Sequence, residues 1–208
     1  VPNTPIVTKE RLKRAISINQ LGMADTLAWL STQIKPYPHR QLRLFAAPNN
    51  GQTGFAMPQA MLIGHEVGFM AQPTAEAGFD QRYRRAVHET AHQWFGHDIG
   101  NGISEDSAFL VESLAKYVEL VMIEHRYGKE SKNALVKYEQ RRFENQHRFY
   151  YGLASGLVDA TSPHQQYSQE TLAFDLLRTE LGDEVIIEAM RQLWSQHSYP
   201  NEPATSMN

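Results

Sequence analysis

Three histidines and a glutamate crowd the segment AVHETAHQWFGHDIG, residues 86–100, and these side chains can bind a metal and move a proton. His88 and His92 are four residues apart, so on a helix their imidazoles project from one face about one turn apart. That separation suits two ligands of one tetrahedral zinc ion. Glu89 lies about 100° around the helix from His88, where it can reach a metal-bound water as a general base. The alternative is a helix with two partly buried histidines in ordinary hydrogen bonds.

Two histidines do not complete a catalytic zinc site, so a third ligand is required. Glu112 lies in an apolar run from Leu110 to Val118, where a carboxylate needs a partner, and an antiparallel helix would bring it to the imidazoles. The alternative places Glu112 at the solvated edge of that helix. Glu119, seven residues on, is predicted either to hydrogen-bond a ligating histidine or to face solvent. His97 does not fit the spacing of a third histidine ligand and is expected beside the ligands or on the surface.

The composition excludes several functions. The chain has 208 residues, a formal net charge of −3 and no cysteine, which leaves histidine and carboxylates as its strong metal ligands. An ordinary charge balance gives no reason to expect nucleic acid as a partner. The apolar stretches fall short of the roughly 20 residues that span a bilayer, so no membrane contact is expected from this segment. Because the sequence starts at Val1, we expect a fragment of a longer protein whose flanking domains are missing.

The front half is predicted to contain helices and a small sheet. Residues 9–34 have the spacing of one long amphipathic helix, or of two helices broken near Gly22. QLRLFAAP and AMLIGHEVGF have the composition of strands, and the turn-rich NNGQTG is expected to join them. The helix that carries the first two histidines is predicted to begin after an N-cap at Asp80 and to end at Gly96.

The back half is predicted to be almost entirely helical. One helix is expected from an N-cap at Ser104 to Gly128, and residues 131–151 continue with helical character. Residues 152–166 are predicted to form a loop. Residues 168–197 are predicted to form two helices that meet near Gly182.

HETAHQWFGH followed by ESLAKYVEL is similar to the signature of the aminopeptidase N family of zinc metallopeptidases, the gluzincins with a thermolysin-like fold. The typical form is HExxHxW near NEGFAxYxE. The resemblance implies that His88, His92 and Glu112 bind one zinc ion and that Glu89 is the base. Nineteen residues separate His92 from Glu112, where the family usually has eighteen. A one-residue insertion around NGISEDS would absorb the difference.

The family also uses a tyrosine to stabilise the oxyanion, in a motif like Tyr-x-Lys-Gly-Ala before a helix. QQYSQETLAFDLLRTELGDE resembles that context, which implies the catalytic role for Tyr167. Gln169 and Glu170 replace the usual Lys and Gly. The alternative is a tyrosine that only packs before a helix.

The resemblance extends upstream and covers roughly residues 9–200. GFAMPQ resembles the family's strand motif Gly-Ala-Met-Glu-Asn, so Ala56, Met57 and Gln59 are expected to bind substrate. Pro58 stands where the family has the glutamate that grips the substrate's free amino group. Gln59 or Glu66 could take over part of that role, although a neutral amide binds an ammonium more weakly.

QWFGH, the nineteen-residue spacing and the extended helix after Tyr117 are most similar to a bacterial subgroup in which such domains are fused to ABC-type transporter membrane segments. The resemblance implies a membrane-bound parent protein. This segment would then be extracytoplasmic, and a cytoplasmic location is the alternative.

We therefore predict an α+β, thermolysin-like zinc peptidase domain over residues 1–208. A front lobe, about 1–97, would hold a small sheet and the zinc helix, and a mostly helical lobe, about 98–208, would close the cleft. The predicted function is aminopeptidase-like hydrolysis of a peptide substrate. The alternatives are an endopeptidase or oligopeptidase, and a catalytically impaired peptide-binding or regulatory module.

Overall fold

The computed structural model describes residues 8–48, 53–71, 78–100, 109–147 and 164–197. These ranges form an α+β fold in which helices predominate, as the sequence predicts. The α-helices are α1 (Lys9–Gln33), α2 (Gln81–Ala91), α3 (Leu114–Tyr127), α4 (Lys129–His147), α5 (Glu170–Leu181) and α6 (Asp183–His197). The strands are β1 (Arg43–Ala47), β2 (Gly54–Met57), β3 (Ala60–Gly64), β4 (Phe95–Gly96) and β5 (Ile99–Gly100). Three π-helical turns cover Glu66–Met70, Phe109–Ser113 and His164–Gln169.

Helix α1 is continuous through Gly22, so of the two alternatives the single helix is correct. The glycine serves the packing of α1 against α2, because a Cβ at this position would lie 2.8 Å from the carbonyl oxygen of Tyr83. Thr8 caps the helix by accepting a hydrogen bond from the backbone N–H of Arg11 at 3.2 Å. This close helix pair supports the element that carries the two metal-binding histidines.

The sheet has the order β1-β3-β2, with β1 and β3 parallel and β2 and β3 antiparallel. Both predicted strands are present, as β1 and β3, but the structure differs from the prediction in two respects. The second predicted strand ends at Gly64 and gives way to a π-helical turn, and Gly54–Met57 form an additional strand. A tight turn at Pro58 and Gln59 joins β2 to β3, and it needs the left-handed backbone of Gln59, whose φ is 63°. Most of the predicted NNGQTG turn lies outside the described residues.

The sequence predicts that helix α2 ends at Gly96, but the helix ends at Ala91. The chain tightens there, because the N–H groups of Gln93 and Trp94 donate to carbonyls three residues back, each at 3.0 Å. The short parallel pair β4–β5 follows. The predicted N-cap Ser104 lies outside the described residues.

The helix boundaries at Gly128 and Gly182 are confirmed, and both glycines have a positive φ, of 88° and 81°. Most of the predicted loop at residues 152–166 lies outside the described residues. Its last three residues, 164–166, belong to the third π-helical turn.

Helix α2 lies between two apolar clusters. One cluster joins it to α3, α5 and α6 through residues such as Val87, Val118 and Phe174. The other joins it to α1 and the sheet through Ala86, Met61 and Ile63. Buried on both sides, α2 is held in a fixed position from which its polar groups can act. Within the described ranges, no helix has the length and apolar character needed to cross a membrane.

Candidate metal centre

The imidazoles of His88 and His92 converge at the end of α2. Their Nε2 atoms lie 3.2 Å apart, and the two rings meet edge to face with centroids 4.7 Å apart. Asp80 caps the helix by accepting from the N–H of Arg82, and the four-residue spacing then places both rings on one face. His88 is 3% and His92 7% exposed, so both rings are shielded from bulk water.

Glu112 completes a group of three potential ligands. Its Oε2 lies 3.2 Å from Nε2 of His88 and 3.8 Å from Nε2 of His92. Tetrahedral zinc with bonds of about 2.0–2.1 Å places its ligand atoms about 3.3 Å apart, and the three separations are close to that value. Oε2 is also buried and accepts no hydrogen bond from the described residues, so its lone pairs are available to a metal ion. The residues therefore fit a zinc ion.

Glu112 reaches the histidines from the π-helical turn Phe109–Ser113, where the sequence predicts a regular helix. A π turn holds one more residue than an α turn, so it can accommodate the additional residue between His92 and Glu112. The predicted insertion site NGISEDS lies outside the described residues.

The outer nitrogen of each imidazole lies close to an oxygen atom. Nδ1 of His88 lies 2.8 Å from Oε1 of Glu119, and Nδ1 of His92 lies 3.1 Å from the carbonyl oxygen of Phe95. A proton on each Nδ1 leaves each Nε2 lone pair directed at the shared point. The structure thus places Glu119 against a histidine, as one of the two predictions has it.

The charges of the three groups are strongly coupled. Burial opposes protonation of His88, but the nearby carboxylates of Glu112 and Glu119 outweigh it and raise its pKa to about 9. Burial and the neighbouring His88 lower the pKa of His92 to about 4. Although burial opposes ionisation of Glu112, contacts with His88 lower its pKa to about 2. Without a metal, Glu112 is therefore ionised and His92 neutral at neutral pH, whereas His88 is protonated, and a bound cation would displace the proton on its Nε2.

Glu89 lies beside this group but is not one of its three ligands. Its side chain is almost fully buried, and burial is the main cause that raises its pKa. Strand β2 covers it so closely that a Cβ at Gly54 would fall on the Glu89 carboxylate. The carboxylate is therefore held in place by its environment, and its raised pKa suits a group that accepts and releases a proton.

Tyr167 lies near the same group, in the π-helical turn His164–Gln169. Its ring centroid is 6.0 Å from that of His88. Burial and the hydrogen bond to the Glu112 carboxylate raise the pKa of Tyr167, so the phenol keeps its proton at neutral pH. The structure thus brings Tyr167 together with the four other predicted site residues.

These side chains line one cavity of about 660 Å³, and Ala56 and His97 line the same cavity. The described lining residues do not include Met57, Gln59 or Glu66. His97 approaches the backbone of Ala56 and is not one of the three ligand residues, in agreement with its predicted place beside them.

The backbones of Met57 and Gln59, two predicted substrate residues, form hydrogen bonds with the side chain of Gln93. Gln93 donates from Nε2 to the carbonyl of Met57, and its Oε1 accepts from the N–H of Gln59, both at 2.9 Å. The side chain of Gln93 therefore fixes the turn that contains Pro58. The assignment of Met57 and Gln59 to substrate binding stays a prediction.

A buried charge network behind His88 was missed from the sequence. Nε of Arg84 donates to Oε2 of Glu119 at 2.5 Å, and Nζ of Lys116 donates to the same oxygen at 2.7 Å. Arg84 and Lys116 also donate to Glu139 on α4, and Glu139 is completely buried. A detectable signal existed in the sequence, since Lys116 interrupts an apolar helical run as Glu112 does.

The same network reaches the turn that carries Tyr167. Ser168 donates from Oγ to Oε2 of Glu139 at 2.9 Å, and Arg142 donates to that oxygen at 3.0 Å. Glu139 is therefore linked through Arg84 and Lys116 to Glu119, and directly to Ser168, the residue after Tyr167. One carboxylate thus contacts both the side chains that hold Glu119 and the turn that carries Tyr167.

Comparisons with known proteins identify the family of the chain. The family model described as the peptidase family M1 domain matches residues 23–207, and the chain belongs to that family. Zinc is the cofactor of the M1 zinc metallopeptidases, and His88, His92 and Glu112 form a group that could hold one ion. No curated protein matches the sequence significantly.

Solved structures show the same fold. The M1 zinc metallopeptidase from Deinococcus radiodurans aligns over 99% of this chain, with 20% identity and a TM-score of 0.62. A mutant of that enzyme bound to a Tyr-Ser-Ala substrate aligns over 99%, with 19% identity and a TM-score of 0.58. Yeast LTA4 hydrolase in complex with bestatin aligns over 91%, with 17% identity and a TM-score of 0.67. The chain spans 40% of each Deinococcus chain and 31% of the yeast chain.

Replacing Glu139 tests the buried network. Glu139→Gln removes the negative charge that compensates Arg84 and Lys116, and we expect a loss of about 3 kcal/mol in the free energy of unfolding. Glu144→Gln, at an exposed position on the same helix, should change it by less than about 0.5 kcal/mol. Urea denaturation measures both values, and equal stabilities for the two variants would contradict the network.

The difference in stability between wild type and Glu139→Gln should depend on pH. Burial opposes ionisation of Glu139, but Lys116 and Arg84 outweigh it and lower its pKa to about 2, below the unfolded value of about 4.3. The stability that Glu139 contributes is therefore complete above about pH 4.3 and is lost as the pH falls toward 2. The difference between wild type and Glu139→Gln should shrink across that interval in denaturation curves. A difference that stays constant would show that the charge of Glu139 is unimportant.

Proposed function

We propose that this chain is the catalytic domain of a zinc-dependent metallopeptidase that hydrolyses peptide bonds, with aminopeptidase-like chemistry. One observation carries the proposal: Nε2 of His88, Nε2 of His92 and Oε2 of Glu112 converge beside a buried glutamate that is not a ligand. A purely structural zinc site usually has four protein ligands, whereas three ligands leave a position for chemistry. Membership of the M1 peptidase family supports the same class of reaction.

In the proposed mechanism His88, His92 and Glu112 hold the zinc ion. When bound, zinc supplies Lewis-acid polarisation of the scissile carbonyl and lowers the pKa of water. Glu89 takes the proton of the attacking water and delivers it to the nitrogen of the leaving amine, a role that its raised pKa favours. The protonated phenol of Tyr167 donates a hydrogen bond to the negative charge that develops on the carbonyl oxygen.

Substrate would lie along β2. This strand is at the edge of the described sheet, and Thr53 to Ala56 line the cavity. An extended peptide can add to a free strand edge through main-chain hydrogen bonds, which position the scissile bond without reading its side chains. Ala56, Met57 and Gln59 would contribute to this strand and its turn.

An endopeptidase or oligopeptidase is the second candidate, and one observation favours it. Pro58 lies in the turn fixed by Gln93, and it offers no carboxylate for a free amino terminus. Neither Gln59 nor Glu66 is among the described residues that line the cavity. A site without an amine anchor would accept peptides whose amino terminus is blocked or distant.

Because the chain spans about two fifths of the length of the Deinococcus enzyme, the organisation of the whole protein is also a proposal. We propose that residues 1–208 act as one catalytic domain with a front and a helical lobe. The resemblance to transporter-fused bacterial proteins supports a membrane-bound parent.

Two substitutions separate the roles of base and ligand. Glu89→Gln should retain zinc and lower kcat at least about 100-fold, because the proton acceptor is lost. Glu112→Ala should lose zinc, because two imidazoles alone bind it weakly. Metal content after dialysis and the rate of peptide hydrolysis measure both effects. Zinc retained at full occupancy in Glu112→Ala would refute the ligand assignment.

Gly54→Ala tests whether β2 positions the base. The new methyl group would occupy the place of the Glu89 carboxylate, which is the flexible end of a side chain and can move without disrupting the fold. A displacement of about 1 Å lowers turnover about 100-fold, while zinc content and thermal stability should hardly change. Phe45→Ala, exposed on β1, serves as the control. Unchanged kcat in Gly54→Ala would show that the base does not depend on this contact.

A further inference from the structure

Each described acidic group that lines the cavity already has a place in the metal group, in the charge network or as the proposed base. The described lining of the cavity contains three carboxylates, Glu89, Glu112 and Glu119. Glu112 faces the imidazole nitrogens, and Glu119 is bound by Arg84, Lys116 and His88. Glu89 lies under β2 as the proposed base. Among the described residues, the cavity therefore offers no remaining carboxylate for a cationic group of a substrate.

Of the described basic groups that line the cavity, Arg85 is the most available to a substrate. Arg84 and Lys116 are buried and bound to Glu119 and Glu139. Arg142 donates to Glu139 and lies over the ring of Tyr138. Arg85 also lines the cavity, and 27% of its side chain is exposed. Its Nη1 forms an ion pair with Oε1 of Glu89 at 3.7 Å, a distance that is too long for a hydrogen bond.

Arg85 is placed close to the reacting groups. It precedes His88 by three residues and Glu89 by four on α2, so the three side chains share one face. It also lines the same cavity as both proposed catalytic groups, Glu89 and Tyr167. A peptide bond located between those two groups would have the guanidinium as a neighbour.

We propose that Arg85 binds a carboxylate of the substrate, so that this site selects peptides with an anionic group close to the scissile bond. The inference rests on the proposed function, because it assumes that the cavity receives a peptide. A guanidinium presents parallel N–H donors that match the two oxygens of a carboxylate. The bound zinc would add positive charge to the same cavity and favour the same substrates. The carboxylate could belong to an acidic side chain or to a free carboxyl terminus.

Binding can be measured without turnover in the zinc-loaded Glu89→Gln chain. The probes are four acetylated pentapeptides of the same length: an amidated peptide with Gln at the central position, its Glu and Lys counterparts, and the Gln peptide with a free carboxyl terminus. Their dissociation constants are compared by isothermal titration calorimetry. The measurement is repeated with Arg85→Gln and Arg85→Lys added. Arg14→Gln, which removes the same charge from an exposed site on α1, is the control.

We expect at least one of the two carboxylate peptides to bind about tenfold more tightly than the neutral peptide, and the Lys peptide to bind most weakly. The position of the favoured carboxylate identifies its source. The preference should disappear in Arg85→Gln, persist in part in Arg85→Lys and remain in Arg14→Gln. It should also decrease as salt is added.

Three results would overturn the proposal: equal affinities for charged and neutral peptides, no binding of either carboxylate peptide, or a preference that survives in Arg85→Gln. Cleavage by the chain with Glu89 intact reports separately on the proposed function. Hydrolysis of all four peptides at equal rates would leave the peptidase and exclude the role of Arg85. A preference in binding without hydrolysis would leave the role of Arg85 and exclude the peptidase.

Discussion

The contact between Nδ1 of His88 and Oε1 of Glu119, at 2.8 Å, is the interaction on which the rest of the site depends. It directs Nε2 of His88 toward the metal position, and it does so from a carboxylate that Arg84 and Lys116 hold in place. Removing a carboxylate of this kind usually lowers metal affinity 10- to 100-fold, because the imidazole loses its orientation. Charged side chains that are not metal ligands thus orient one of the proposed ligands, His88.

Burying these charges is costly, and the fold meets the cost by pairing them. Glu139, Lys116 and Arg84 come from three helices, α4, α3 and α2, and each makes contacts with groups of opposite charge. Desolvation would otherwise disfavour every one of them by several kcal/mol. The network therefore requires the three helices to pack in one arrangement. Ser168 is bound to Glu139 in the same arrangement, which keeps its neighbour Tyr167 near the metal-binding group.

The sequence predicts the chemistry better than the detailed geometry. The spacing of His88 and His92 and the apolar surroundings of Glu112 are local signals, and the structure brings these side chains together. The π-helical turns that carry Glu112 and Tyr167 have no simple periodic signal, because they follow from tertiary packing. The same holds for β2, whose edge position depends on the backbone of Gln59 and on a distant side chain, Gln93. Glu139 was missed because three of its partners, Arg84, Lys116 and Ser168, lie 23 to 55 residues away in sequence.

The most direct test of zinc-dependent peptide hydrolysis is a mass-spectrometric cleavage profile of a peptide library with free and with acetylated amino termini. The chain is assayed after zinc loading, after chelation and after zinc has been restored. The proposed function predicts cleavage that disappears on chelation and returns with zinc. Loss of residues one at a time from free termini alone would identify an aminopeptidase, and internal cuts in acetylated peptides an endopeptidase. Intact peptides in both sets, with one zinc bound per chain, would contradict the proposed catalytic role of the site.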